Sequence, residues 1–311
     1  MHYTGTIWRP PYEASSLLLQ VTAGCTHHRC KFCTLYDDLP FRFKMSPMED
    51  IESDLLEAQL WGTDPVAMLS ARLQGLPRPE AVRRVFLVGA NPFVLTFRRL
   101  KDIGELIHQY FPMVESIGSF ARITDVALKS DEQLTELHHL GYDGITIGVE
   151  TGDDQALAFM DKGYRSQDIV EQAGRLDAAG ISYNFFYLAG ISGAGRGVEG
   201  ALKSAEVFNR THPLLIGSSM LTIFPESRLY QEIRQGNWAE EGEIEKLAEL
   251  KALIENLTIS TRIVTDGASN LIQVRGNLPE DQERLAGSLD RLIRNADENA
   301  LREYRVNLRH L

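Results

Sequence analysis

Every thiol of this chain lies in one short stretch. Gly24-Cys25-Thr26-His27-His28-Arg29-Cys30-Lys31-Phe32-Cys33 holds all three cysteines of a 311-residue sequence. An odd number cannot pair off as disulfides without a remainder. Cys30 and Cys33 alone form a Cys-x-x-Cys pair, which leaves Cys25 unexplained. A structural zinc site takes four ligands, usually Cys and His, so a zinc reading enlists His27 or His28. The plant-type ferredoxin spacing also begins C-x4-C-x2-C, but it needs a fourth cysteine that this sequence lacks. The remaining chemistry is a 4Fe–4S cluster held by Cys25, Cys30 and Cys33, with one iron left open. An open coordination position is the mark of a catalytic metal site. Zinc stays open as the alternative on these residues alone.

The bulk of the chain is ordinary for a soluble globular protein: 43% hydrophobic and 24% charged. No apolar run approaches the ~20 residues that span a bilayer. The N-terminus has neither the basic start nor the apolar run of a signal peptide. These features predict a cytoplasmic protein with reduced thiols and no membrane partner. A net charge of −11 gives no general attraction to nucleic acid. It favours a small-molecule substrate over a polyanion.

The cysteines need a frame, and the frame is periodic. Strands are expected at residues 16–22, 84–89, 115–121, 144–149, 182–188 and 215–223. Helical spacing follows at 50–60, 96–110, 131–140, 166–179 and 197–210. Gly180 suits the left-handed cap that ends the 166–179 helix. Strands alternating with helices every 30–35 residues or so predict parallel βα units. Six units are too few for a closed eight-unit barrel. The expected fold class is α/β, a partial (βα)6 TIM-like barrel, with a doubly wound open sheet as its rival. In either, chemistry sits at the C-terminal ends of the strands, and Cys25 follows the first one. Residues 64–81 read as an extra piece between the first helix and the second strand. Beyond residue 225 the pattern changes: a helix at 240–256, an irregular segment at 271–277 and helical spacing at 280–302. The expected division is a core at 1–225 and a C-terminal helical extension at 226–311 packed on it.

With these residues in place, the sequence resembles the radical S-adenosylmethionine superfamily. The usual motif is C-x3-C-x2-C with an aromatic before the last cysteine; Phe32 fills that place, and the first gap here is x4. Arg9-Pro10-Pro11 and Glu13-Ala14, followed by the cysteine loop, are similar to a branch related to the Elongator catalytic subunit and the methylthiotransferases. The resemblance implies an enzyme with two cofactors, the 4Fe–4S cluster and S-adenosyl-L-methionine. One electron from the cluster would cleave the sulfonium bond, and the 5′-deoxyadenosyl radical would take hydrogen from a substrate. An electron donor such as flavodoxin or ferredoxin is implied.

The resemblance also implies roles for single residues. Gly89-Ala90-Asn91-Pro92 stands where the family's glycine-rich loop meets the methionine amino group, though as G-A-N-P rather than G-G-E. Glu150 would touch the ribose or methionine part, and Lys162 would pair with the methionine carboxylate. Arg122 and Asn184 would bond the cofactor, and Gly190 with Gly193 would admit the adenine ring. Each has a plainer reading: a strand-ending turn, a helix N-terminal carboxylate, a solvated lysine, a structural asparagine, a tight turn. Tyr3, Arg9 and Glu13 would line the substrate side. Three cysteines leave none for a second all-cysteine cluster, which argues against methylthiotransfer. The rival functions are a zinc-stabilised binding protein and a cluster-bearing scaffold or chaperone.

Overall fold

The computed structural model describes residues 1–63, 65–74 and 81–308. Its contacts divide into two compact units. The first is Met1–Thr26, Tyr36–Ile145 and Ala179–Ile181; the second is His27–Leu35, Thr146–Ala178 and Ser182–Leu311. Eight strands take part in the main sheet pairing, and most of it is parallel.

The first unit begins with β1 (Leu17–Gln20), β2 (Thr22–Gly24), β3 (Phe43–Met45), α1 (Met48–Thr63) and α2 (Pro65–Leu73). It continues through β4 (Arg84–Val88), α3 (Phe97–Tyr110), β5 (Ser116–Ala121), α4 (Ile123–Val126) and α5 (Asp131–His139). β1 pairs with β4, and β4 with β5, all parallel, with Leu17 opposite Val85 and Arg84 opposite Ser116. Val85, Phe86, Leu87 and Val88 are all buried, as expected of a parallel strand covered on both faces. α3 offers Leu100, Ile103 and Ile107 as its buried stripe, and Thr96 caps it by accepting from Arg99 N.

The expected strand at 16–22 divides in two. β1 joins the parallel sheet, whereas β2 turns away to pair antiparallel with β3. β3 is three residues with no apolar run, so no strand period marks it. The extra piece at 64–81 is a helix over Pro65–Leu73; residues 64 and 75–80 lie outside the described residues.

Glu13 closes the far end of this unit. Arg84, at the start of β4, donates from Nη2 to Glu13 Oε1 at 2.7 Å and from Nε to Oε2 at 2.9 Å. Its Nη1 reaches Ser116 Oγ at 2.9 Å and Asp143 O at 3.3 Å. One guanidinium thus ties the turn before β1 to the starts of β4 and β5. The expectation that Glu13 lines the substrate side is corrected: it is a buried ion-pair partner at the N-terminal ends of the strands.

The second unit holds β6 (Ile145–Glu150, of which Ile145 belongs to the first unit), α6 (Asp154–Phe159), α7 (Ser166–Ala179), β7 (Tyr183–Ala189), α8 (Gly197–Phe208) and β8 (Leu215–Met220). Then come α9 (Arg228–Arg234), α10 (Glu243–Asn256), β9 (Thr261–Val264), β10 (Arg275–Leu278), α11 (Gln282–Asn295) and α12 (Glu298–Val306). β7 and β8 are parallel, Asn184 opposite Leu215 through Ala189 opposite Met220. β9 continues parallel to β8, and β10 returns antiparallel to β9.

β9 and β10 are additions to the six expected strands, and β10 overlaps the segment taken as irregular. Each has four residues, and β10 is Arg-Gly-Asn-Leu, too polar to show a strand period. The helical stretch at 280–302 is two helices, broken where Asp297 accepts from Asn299 N and Ala300 N to start α12. Residues beyond 225 are woven into this unit: α10 packs on α8, and Arg305 of α12 is buried against Thr222 Oγ1, Ser269 O and the Glu243 carboxylate.

Glu13→Ala leaves the Arg84 guanidinium among groups that cannot neutralise it. The expected loss is about 3 kcal/mol, the low end for a broken buried pair because Arg84 is partly exposed. The exposed Glu49→Ala should cost under about 0.5 kcal/mol. Urea unfolding of the two variants beside wild type checks this.

Candidate active site

In the first unit the chain reaches Cys25 straight from β2. Gly24 sits at φ +76°, and a Cβ there would lie 2.3 Å from Arg42 O on the β3 side, so only glycine fits this turn. The next residue, Thr26, is anchored by its side chain: Oγ1 accepts from Asn91 Nδ2 at 3.0 Å. The same amide nitrogen donates to Asp125 at 3.0 and 3.2 Å. Asp125 in turn accepts from Arg122 N at 2.8 Å, which fixes the start of α4. Asn91 and Asp125 are both buried. Burial raises the Asp125 carboxyl pKa, opposed by the N–H groups of Arg122 and Asn91. The chain next to Cys25 is thus tied to the loops that follow β4 and β5.

Gly89 ends β4 at φ +132°, and a Cβ would fall 2.5 Å from Thr22 O. Pro92 and Phe93 are buried in a 3-10 turn over Pro92–Val94. Lys129 closes that turn from within, donating to Phe93 O at 2.5 Å, Leu95 O at 3.1 Å and Asp125 O at 3.2 Å. Burial lowers its pKa to about 8. Arg122 turns Nη1 onto Thr124 Oγ1 at 2.9 Å.

In the second unit the cysteine loop is held by backbone. Cys33 N donates to Cys30 O at 3.2 Å, Lys31 N to Met160 O at 3.2 Å, and Leu229 N to Lys31 O at 2.8 Å. Lys31 Nζ lies 4.0 Å from the centre of the Phe159 ring and 2.8 Å from Glu232 Oε1. Arg228 spans from Arg29 O to Asp161 Oδ2, both at 3.0 Å. His27 is buried, with Nε2 on Asp161 O at 2.5 Å. Phe32 packs against a buried cluster of Met160, Ile191, Leu221 and Leu229. The three cysteines are half-buried.

Glu150 ends β6 at φ +63°, a left-handed backbone that a side chain takes only when its surroundings enforce it. Thr151 N donates to Val149 O at 2.8 Å across it, and the Glu150 carboxylate is held by Lys162. Its ammonium is buried and donates to Glu150 Oε1 at 3.0 Å and Gly148 O at 3.1 Å. Tyr164 OH supports the same strand end at Gly148 O and Val149 O. The two residues predicted separately are one ion pair. Asn184 is buried near the start of β7, three register positions from the Tyr187 that leads into the next group.

Gly190, at φ +94°, has a packing reason. A Cβ would lie 2.9 Å from Lys246 Cε, and its N–H goes to Glu249 Oε2 at 2.6 Å. Glu249 also accepts from Tyr187 OH at 2.5 Å. Gly193, at φ +85°, makes room for Trp238. Burial pushes the carboxyls of Glu249 and its neighbour Glu241 well above the ordinary range, and the charge of Glu249 pushes Glu241 further. Neither Glu241 oxygen has an N–H or hydroxyl donor. A proton on Glu241, facing Glu249, satisfies both groups.

Sequence reasoning missed Asp125, Lys129, Tyr164, Glu241 and Glu249. Asp125 had a signal, its place three residues after Arg122 at a helix start. The others carry none, because their partners are distant in sequence.

The sequence profile of the Radical SAM superfamily matches residues 19–194, which include all three cysteines, the end of β1 and β2 through β7. The chain belongs to the radical SAM superfamily. It is an enzyme, and its cofactors are the family's 4Fe–4S cluster and S-adenosylmethionine. Solved structures share the fold at low identity. An archaeal Methanocaldococcus infernus Elp3 lacking its N-terminus gives a TM-score of 0.52 at 13% identity, over 79% of this chain and 60% of that one. The radical S-adenosylmethionine methyltransferase TsrM from Kitasatospora setae gives 0.52 at 17%, over 71% of this chain and 37% of that one. Methylornithine synthase, PylB, gives 0.52 at 14%, over 93% of this chain and 85% of that one. The chain thus spans less than two thirds of the TsrM and Elp3 chains. No curated protein matches it. Among the described residues, no helix is long and apolar enough to cross a membrane.

The Glu241–Glu249 pair sets a pH dependence. Unfolded, each carboxyl titrates near 4.5; folded, each holds its proton to higher pH. Below 4.5 both states are protonated and stability is flat. As pH rises above 4.5 the unfolded chain releases protons that the folded chain keeps, so stability falls. The slope is about 1.4 kcal/mol per pH unit for each proton so held. Glu241→Gln should flatten the fall and make the variant the more stable protein at pH 8. Lys246 and Glu245 also face this pair, so the comparison runs at fixed ionic strength, by denaturant titration from pH 5 to pH 9.

Proposed function

We propose that Cys25, Cys30 and Cys33 hold the cluster, and that the chain generates a radical from S-adenosylmethionine to remove hydrogen from a small molecule. The carrying observation is that one superfamily profile spans the only cysteines of the chain. Their chemistry fits the group: three half-buried cysteines within nine residues. When bound, the cluster and S-adenosylmethionine supply one-electron cleavage of the sulfonium bond and a carbon radical that takes hydrogen.

The chain's own residues do the rest. Phe32, seated on the Met160–Ile191 cluster, fixes the loop between Cys30 and Cys33. The backbone of Gly89-Ala90-Asn91-Pro92, packed against Thr22 at Gly89, receives the methionine amino group. Glu150 accepts from ligand hydroxyls or the amino group. Lys162, already charged and held by Glu150, balances the methionine carboxylate. Arg122 and Asn184 bond the cofactor's polar edge, and Gly190 gives its carbonyl side to the adenine. Wherever the ligand binds, the buried apolar cluster around Phe32 limits water near the radical.

The acidic chain favours a small-molecule substrate over nucleic acid, and a cytoplasmic setting with a flavodoxin or ferredoxin as donor. The Arg9-Pro10-Pro11 opening and the x4 cysteine gap favour the branch near the Elongator catalytic subunit. Residues 1–225 carry the chemistry, and 226–311 complete the second unit. Superfamily membership leaves the zinc-binding and scaffold readings without support.

The test is anaerobic. Protein reconstituted with iron and sulfide, reduced with dithionite and given S-adenosylmethionine should form 5′-deoxyadenosine, and Cys30→Ala should form none. Lys162→Met should retain the brown cluster and raise the KM for S-adenosylmethionine at least about tenfold, the loss of one charge-assisted contact. A wild-type protein that takes up zinc and no iron, or a Cys30→Ala variant with full cluster content and product, would overturn the assignment.

A further inference from the structure

The loop that follows β7 is held mostly from outside itself. Its backbone turns left-handed at Gly190 (φ +94°), Gly193 (φ +85°) and Gly195 (φ +76°). Internal bonds run from Ile191 N to Leu188 O and from Gly193 N to Gly190 O, both at 3.3 Å, and from Arg196 N to Gly193 O at 3.0 Å. The shorter bonds go outward, to residues 239–249. Ala194 N donates to Ala239 O at 2.9 Å, Gly195 N to Glu245 Oε1 at 2.5 Å, and Gly190 N to Glu249 Oε2 at 2.6 Å. Glu245 and Glu249 stand one turn apart on α10, so one face of one helix holds both ends of the loop. Lys246 lies between them and lays its methylenes against Gly190.

Glu249 is a costly residue at this place. It is fully buried where α10 packs on β7, and an apolar side chain there would carry no desolvation penalty. Glu13, the buried carboxylate of the first unit, offsets that penalty with Arg84. Glu249 instead takes two neutral donors, the Tyr187 hydroxyl and the Gly190 amide. The loop so held walls a cavity of about 270 Å³, lined by Ile191, Ser192 and Gly193 with Phe159 and Trp238. Aromatic walls with a few polar groups are the form of a small-molecule pocket. Phe159 and Trp238 also pack, with Phe32 of the cysteine loop, on the Met160–Ile191 cluster.

We propose that Glu245 and Glu249 are positioning residues for cofactor binding: from α10 they hold the 190–195 loop in the shape that admits the adenine of S-adenosylmethionine. This rests on the reading that the loop meets the adenine. Both carboxylates act through a glycine amide rather than on the cofactor. A loop already in shape spares the ligand the ordering cost of binding. Affinity for the cofactor then depends on a helix that lies beyond residues 19–194, the stretch that the superfamily profile matches.

The test compares Glu249→Leu, Glu249→Gln and Glu245→Ala with wild type, each as the full chain loaded with cluster. Equilibrium dialysis reads the affinity for S-adenosylmethionine, and hydrogen exchange over residues 188–197 reads the loop. Glu249→Leu should weaken binding at least about tenfold, the scale of an outer partner that orients a binding group. Its loop should exchange faster, while kcat at saturating S-adenosylmethionine stays within about twofold. Glu249→Gln keeps an acceptor for Gly190 N and should bind within about threefold of wild type. Glu245 is only half-buried, and Glu245→Ala should fold normally and weaken binding about threefold, the loss of one hydrogen bond. Glu13→Ala lowers stability from the other unit and should leave the affinity unchanged. Wild-type affinity in Glu249→Leu or Glu245→Ala overturns the proposal, and if Glu249→Leu fails to fold, Glu245→Ala decides. A Glu249→Gln variant as weak as Glu249→Leu also overturns it, because the bond to Gly190 is then not what matters. A wild type that binds no S-adenosylmethionine overturns the functional reading itself.

Discussion

A loop that carries metal-binding thiols has no hydrogen-bond ladder of its own, so its shape is only as fixed as the groups that satisfy its backbone. This constraint runs through both units. In the first, Thr26 beside Cys25 is held by Asn91, and Asn91 by Asp125, which is itself locked by the helix start at Arg122. In the second, the amide and carbonyl of Lys31, between Cys30 and Cys33, are bonded to Met160 O and Leu229 N. Side chains such as Phe32, Lys31 and Arg228 add packing and charge to these bonds. The strands supply position, and a few polar atoms at their ends convert position into loop geometry.

Burial of ionisable groups is the cost of this arrangement, and the structure meets it in three ways. Arg84 and Glu13 neutralise each other. Lys129 is caged by three backbone carbonyls, and its burial, not those bonds, loosens its hold on the proton. Glu241 and Glu249 have too few donors between them and resolve the conflict by holding a proton. Each solution fixes a different piece of chain: the turn before β1, the 3-10 turn after β4, and the end of β7 against α10.

The elements with strong periods were legible in the sequence. β4, β5, β7 and α7 fall within a residue or so of their expected bounds, because buried parallel strands are continuous apolar runs and α7 has a clean stripe capped by Gly180. The spacing of the cysteines pointed to the superfamily whose profile spans them. β3, β9 and β10 were not, since strands of three or four residues with polar members carry no measurable alternation. Glu13 was misplaced because its partner is 71 residues away, and no local pattern announces an ion pair across that distance. Glu150 and Lys162 were each visible as polar residues near a strand end. That they form a single pair, with Glu150 in a left-handed backbone, is a tertiary fact.

Gly190 and Lys246 occupy one space between them: the place of a Cβ on the first is filled by the methylenes of the second. Neither position can therefore drift alone through sequence space. An alanine at 190 is strained at φ +94° whatever stands at 246, and a shorter residue at 246 loses the ammonium that serves Glu240 and Glu243. Both sites should stay fixed in any set of relatives that keeps α10 against the end of β7, the glycine for its backbone and the lysine for its charge.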